Sequence, residues 1–112
     1  MIEEYKKCAS TCAATDYRNK KSVRRHNLAV DRMYGIIVSA VKQGHDAVSS
    51  FLPLLDDPVC ARWLAHHLLE KADVPPQVEE KCLAVIEALS KGDGPDALGE
   101  QYWLRDYRQK KG

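Results

Sequence analysis

The stretch LLDDPVCARWLAHHLLEKA, residues 54–72, decides the fold. Asp56 and Asp57 are both suited to cap a helix that opens on Pro58, where the missing N–H costs nothing and the fixed φ helps. From there Ala61, Leu64, Ala65, Leu68, Leu69 and Ala72 recur at helical spacing as one apolar stripe, with Cys60, Trp63 and His67 forming a rougher second stripe beside it. A helix apolar over so much of its circumference is expected to be central, packed by neighbours on two sides.

Working outward, residues 77–90 keep helical spacing, with Val78, Cys82, Val85, Ile86 and Leu89 inward and Glu79, Glu80, Lys81, Glu87 and Lys91 toward water. Val74-Pro75-Pro76 is a rigid break before them, and Gly92-Asp93-Gly94-Pro95 a turn after them. Asp96 then reads as the cap of a last helix carrying Ala97, Leu98, Tyr102, Leu104 and Tyr107, with residues 109–112 a frayed basic tail.

On the other side, Asp46 reads as the cap of a short helix with Val48, Phe51, Leu52, Leu54 and Leu55 apolar, and Pro53 forces a bend inside it. Residues 22–43 form the longest helix, with Val23, Asn27, Val30, Met33 or Tyr34, Ile37, Ala40 and Val41 inward and Gly44 as the stop. Residues 2–17 give a narrower face of Ile2, Tyr5, Cys8 or Ala9, Cys12 and Ala13, so this helix belongs at the edge, paired with the longest one. No strand-like alternation of useful length occurs. The expectation is an all-α single domain of five to six helices arranged as stacked antiparallel pairs.

Composition bounds the function. A chain of 112 residues with 45% hydrophobic content buries roughly two thirds of its unfolded surface without disulfides or metal. A formal net charge of +1 argues against a generally basic nucleic-acid binder. The start MIEEYKKCAS lacks the basic and apolar pattern of a signal peptide, and no run approaches the roughly 20 apolar residues of a membrane helix, so the chain reads as cytoplasmic. Its cysteines, Cys8, Cys12, Cys60 and Cys82, then read as reduced thiols.

The residues Phe51-Leu52-Pro53-Leu54-Leu55-Asp56-Asp57-Pro58, followed by Arg62, Trp63, Ala65, His67, Leu68 and Leu69, resemble proteins built of HEAT-like helical repeats. More narrowly, Asn27 and Asp31 on the long helix, with Leu98, Tyr102, Leu104 and Tyr107 on an aromatic-ended last helix, resemble a family of small bacterial HEAT-like proteins of unknown function. The likeness covers roughly residues 22–108; this chain departs from it in carrying Glu100 where the family tends to a small residue. The resemblance implies a non-catalytic protein-binding module, an immunity protein that neutralises a bacterial toxin.

The chemistry-bearing residues suggest neither an enzyme nor a cofactor. Cys8 and Cys12 lie four apart, but adjacent His66 and His67 point about 100° apart on a helix and no paired metal-ligand spacing occurs, so no metal is expected. Cys60 and His67 are seven residues apart, about 10 Å of helical rise, beyond direct proton transfer. For a protein partner, the last helix offers Trp103 as aromatic anchor with Asp96, Glu100 and Asp106 as a charged rim. The alternative is a small nucleic-acid-binding or regulatory protein using the basic run Arg18, Lys20, Lys21, Arg24 and Arg25, with Tyr17 and Tyr34 nearby for stacking.

Overall fold

The computed structural model describes residues 1–110 in full and the backbone of residue 111. The described residues form six α-helices and one 3-10 turn, with no strand: α1 (Ile2–Ala13), α2 (Lys20–Gln43), α3 (His45–Ser49), the 3-10 turn (Leu52–Asp56), α4 (Ala61–Lys71), α5 (Pro76–Ser90) and α6 (Pro95–Lys111). The all-α reading of the sequence therefore holds. The most extensive packing joins α1 to α2, α4 to α5 and α5 to α6, while α2 lies against α4 and ties the two halves together.

The central helix starts later than its sequence suggested. Asp57 does not cap it at Pro58; its Oδ1 accepts from the Val59 N–H at 2.9 Å, an Asx turn over 57–59. The Ala61 N–H bonds back to the Asp57 carbonyl, the Leu64 N–H to the carbonyl of the N-cap Cys60, and α4 opens at Ala61. Its stripe is as expected, with Leu64, Ala65 and Leu68 buried and Leu69 partly so.

The ends of the other helices follow backbone chemistry more than side-chain caps. Gly44, at φ 115°, closes α2 and serves as the flank of α3, so Asp46 sits in the first turn of α3 and does not cap it. Gly94, at φ 95°, precedes α6, and Pro95 takes the first helical position, so Asp96 sits inside the first turn and is not the cap its sequence suggested. Pro75 and Pro76 open α5 as a rigid break should. The stretch read as a frayed tail, 109–112, continues α6 through Lys111; its last residue lies outside the described residues.

Two helices face differently from their expected register. On α2 the buried side chains are Ser22, Ala29, Met33, Ile36, Ile37 and Ala40, which leaves Asn27, Asp31 and Val41 exposed. On α6 the inward row is Ala97, Glu100 and Leu104, flanked by half-buried Trp103 and Tyr107, so Leu98 and Tyr102 stand 48% and 51% exposed on the outer face.

Although its apolar face is narrow, α1 reaches the middle of the molecule. Tyr5 is fully buried, edge-on to Phe51 with centroids 5.7 Å apart, and its hydroxyl lies 2.8 Å from His67 Nδ1. An edge helix thus supplies one of the largest buried side chains. No helix among the described residues is long and apolar enough to cross a membrane.

Candidate functional site: the seam between α4 and α6

His66 and His67 point to opposite destinies because they are one residue apart on α4. His67 turns inward, buried among Tyr5, Tyr34 and Trp63. Burial, opposed only in part by Glu70, pushes its pKa down to about 4, so the ring is neutral near pH 7. The neutral ring shares one hydrogen bond with the Tyr5 hydroxyl through Nδ1. The same burial raises Tyr5 well above the ordinary tyrosine range. This is a closed polar contact inside the core.

His66 turns toward α6, where its Nε2 donates to Glu100 Oε2 at 2.7 Å. The two side chains are only 19% and 10% exposed. Glu100 is therefore no part of a solvent-facing rim. It occupies the inward row of α6, where a small residue would leave His66 unpartnered, and the imidazole is what lets a carboxylate pack there.

Along the same seam α4 presents Arg62, His66 and Glu70, four apart, while α6 presents Asp96, Glu100, Trp103 and Tyr107, at spacings of three and four. The His66–Glu100 pair lies midway. At the end nearer the C-termini of the two helices is an open cavity of about 620 Å³ lined by Leu69, Glu70, Lys71, Trp103, Asp106, Tyr107 and Lys110. At the other end is a cavity of about 370 Å³ that includes Arg62, Trp63, Asp96, Tyr17 and His26.

The lower cavity has a built aromatic wall. Trp103 and Tyr107 stack at 5.0 Å with their planes 11° apart, and His66 meets Trp103 edge-on at 4.5 Å. Glu70 is held by two donors: Tyr34 Oη gives to Oε2 at 2.8 Å and Trp103 Nε1 to Oε1 at 3.3 Å. Tyr107 Oη donates to Glu79 Oε2 at 3.1 Å, fixing the second ring of the stack. Lys71 Nζ is drawn over the Tyr34 ring at 5.4 Å.

Of the residues singled out for partner binding, the structure brings Trp103 and Asp106 to this cavity, puts Asp96 at the opposite end of the seam and buries Glu100. Sequence reasoning missed Glu70, His66 and Tyr107 as parts of the site. The signal was there for Glu100: Ala97, Glu100 and Leu104 share one face at spacings of three and four, a row that otherwise contains only core residues.

The five basic residues are all exposed at the α1–α2 corner. Arg18 Nε lies 3.6 Å from Asp16 Oδ1, and Asn19 Oδ1 caps α2 by accepting from the Lys21 and Ser22 N–H groups. Tyr34 is far from this run in role, bonded to Glu70 instead.

The thiols are chemically quiet. Burial pushes Cys60 and Cys82 up to about 11, and desolvation also raises Cys8 and Cys12, so all four are protonated near pH 7. All four are unpaired by disulfides, and no group of three or more His, Cys, Asp or Glu among the described residues stands where it could hold a metal.

No protein-family model matches the chain, and neither the curated proteins nor the solved structures contain a match.

Proposed function

We propose that this protein is a non-catalytic binding module that recognises a protein partner through the lower cavity of the α4–α6 seam, and that its partner is a bacterial toxin which it neutralises by stoichiometric occlusion. The observation that carries the binding reading is the Trp103–Tyr107 stack. Two large aromatic rings line an open cavity while their polar atoms are tied to Glu70 and Glu79. Aromatic side chains held in place before a partner arrives lose little entropy on binding, and such residues dominate the affinity of protein interfaces. Glu70 and Asp106 beside the stack alternate with Lys71 and Lys110, so the rim offers both signs of charge to a complementary partner surface. The toxin as partner rests on the resemblance, carried by Asn27 and Asp31 with Leu98, Tyr102, Leu104 and Tyr107, to a family of small bacterial HEAT-like proteins, some of them immunity proteins.

The test is co-expression with the product of the adjacent gene. The expected result is a one-to-one complex that relieves toxicity and is lost on Trp103→Ala together with Asp106→Arg. A neighbour that is harmless, or that remains fully toxic and fails to co-purify, contradicts the neutralising role.

A further inference from the structure

The basic run at the α1–α2 corner is not explained by folding. Lys20, Lys21, Arg24 and Arg25 sit in the first two turns of α2, at the positive end of the helix dipole, with no acidic residue in the first turn. None of these four makes an ion pair among the described residues, and of the five cations only Arg18 pairs with a carboxylate, that of Asp16. Like charges gathered at the wrong end of a helix are locally unfavourable, and a bound anion would relieve them.

Next to this run in the chain lies an aromatic cavity. Tyr17, immediately before Arg18, is 72% exposed, with its ring 5.8 Å from that of His26, which follows Arg25. His26 in turn meets Trp63 at 5.8 Å, and its Nδ1 is fixed 3.1 Å from Thr15 Oγ1. Arg62 lies over the Trp63 ring at 5.7 Å. Asp96 is the one carboxylate in the cavity, whose volume is about 370 Å³.

We propose that this corner binds single-stranded nucleic acid, with phosphates along the Arg18–Arg25 run and one base stacked on the exposed Tyr17 ring at the mouth of the cavity. Cations that track the backbone beside aromatic faces are what sequence-tolerant single-strand binding requires. A duplex keeps its base faces stacked on each other and cannot offer one. Asp96, an acceptor, favours a base with an exocyclic amino group, as in cytosine, over one without. This site is separate from the Trp103 cavity, so its success or failure leaves the protein-binding reading untouched.

The experiment is fluorescence anisotropy of the full chain with labelled oligo-dC and oligo-dT of about twelve nucleotides, and with an oligo-dC·oligo-dG duplex, across a KCl series. Oligo-dC should bind more tightly than oligo-dT and the duplex. Its log affinity should fall with log salt at a slope of about −3.5 if each of the five cations meets a phosphate. Reversing Lys20, Lys21, Arg24 and Arg25 to Glu should abolish binding, and Tyr17→Ala should weaken it about tenfold with the salt slope unchanged. Circular dichroism verifies that each variant is folded. Absence of single-strand binding at low salt overturns the proposal, as does equal binding of single strand and duplex with Tyr17→Ala silent, which is plain polyanion attraction. Equal affinity for oligo-dC and oligo-dT overturns the placement of the base against Asp96.

Discussion

His66 and His67, neighbours in sequence, mark two regions that obey different rules. Around His67 the core is closed: Tyr5, Phe51, Leu64 and Leu68 are fully buried behind the partly buried Tyr34 and Trp63, and the polar contact between Tyr5 and His67 is a single hydrogen bond. Around His66 the groups are half-wet, and carboxylates such as Glu70, Glu79 and Glu100 hold aromatic rings or imidazoles in place beside an open cavity. The first arrangement fixes the fold. The second keeps large side chains ordered without burying them, which is the condition a recognition surface needs.

The contrast can be broken most forcefully from the sealed side. Leu68→Ala removes a fully buried side chain from the middle of α4 and should cost about 2 to 5 kcal/mol, read as a fall in the urea midpoint with unchanged slope. An unchanged midpoint would mean that the stripe of α4 is not the core.

Acid should act next, through His67. Its folded-state pKa of about 4 lies below the ordinary value of 6.5, so between those pH values the unfolded chain binds more protons. The contribution is complete above about pH 6.5 and is lost as pH falls through 4, reaching about 3 kcal/mol. Denaturation midpoints measured from pH 7 to pH 4 should show this decline, and it should shrink in His67→Leu.

Tyr5→Phe sharpens the same comparison by leaving His67 Nδ1 without its hydrogen-bond partner in a dry site, for about 1 to 3 kcal/mol. His66→Ala, at the wetter seam where water can replace the lost partner, should cost about 1 kcal/mol. Equal costs for the two would erase the distinction between the regions. The smallest effect is chemical: with a thiol reagent at neutral pH only Cys8, the one cysteine not buried, should react in the native state. Rapid modification of Cys60 or Cys82 would show that the core opens more readily than its burial implies.

Much of the sealed region was legible in the sequence because it obeys periodicity. The stripe of Leu64, Ala65 and Leu68, the length of α2 and the breaks at Pro53, Pro75 and Gly94 all follow from local rules. Tyr5 was not legible, since its depth depends on an acceptor 62 residues away and a single tyrosine on a thin apolar face gives no sign of that partner. The α2 register was read through Asn27 and Val41 when Ala29 and Ile36 in fact point inward; a 24-residue helix with apolar residues on several sides admits more than one face, and the packing of α1 and α4 selects among them. At the seam the difficulty was chemical. Glu100 reads as exposed by residue type, and its hydrogen bond to His66 offsets part of the cost of its burial.

The central claim is that recognition belongs to the inner seam and not to the outer face of α6, although that face exposes Leu98 and Tyr102. Titration calorimetry of the complex with the co-purified partner tests it most directly, comparing Trp103→Ala with Tyr102→Ala. The account predicts that Trp103→Ala weakens binding by about 2 kcal/mol or more, roughly thirtyfold, while Tyr102→Ala leaves it within a few tenths of a kcal/mol. The reverse order, with Tyr102→Ala damaging and Trp103→Ala silent, would contradict it.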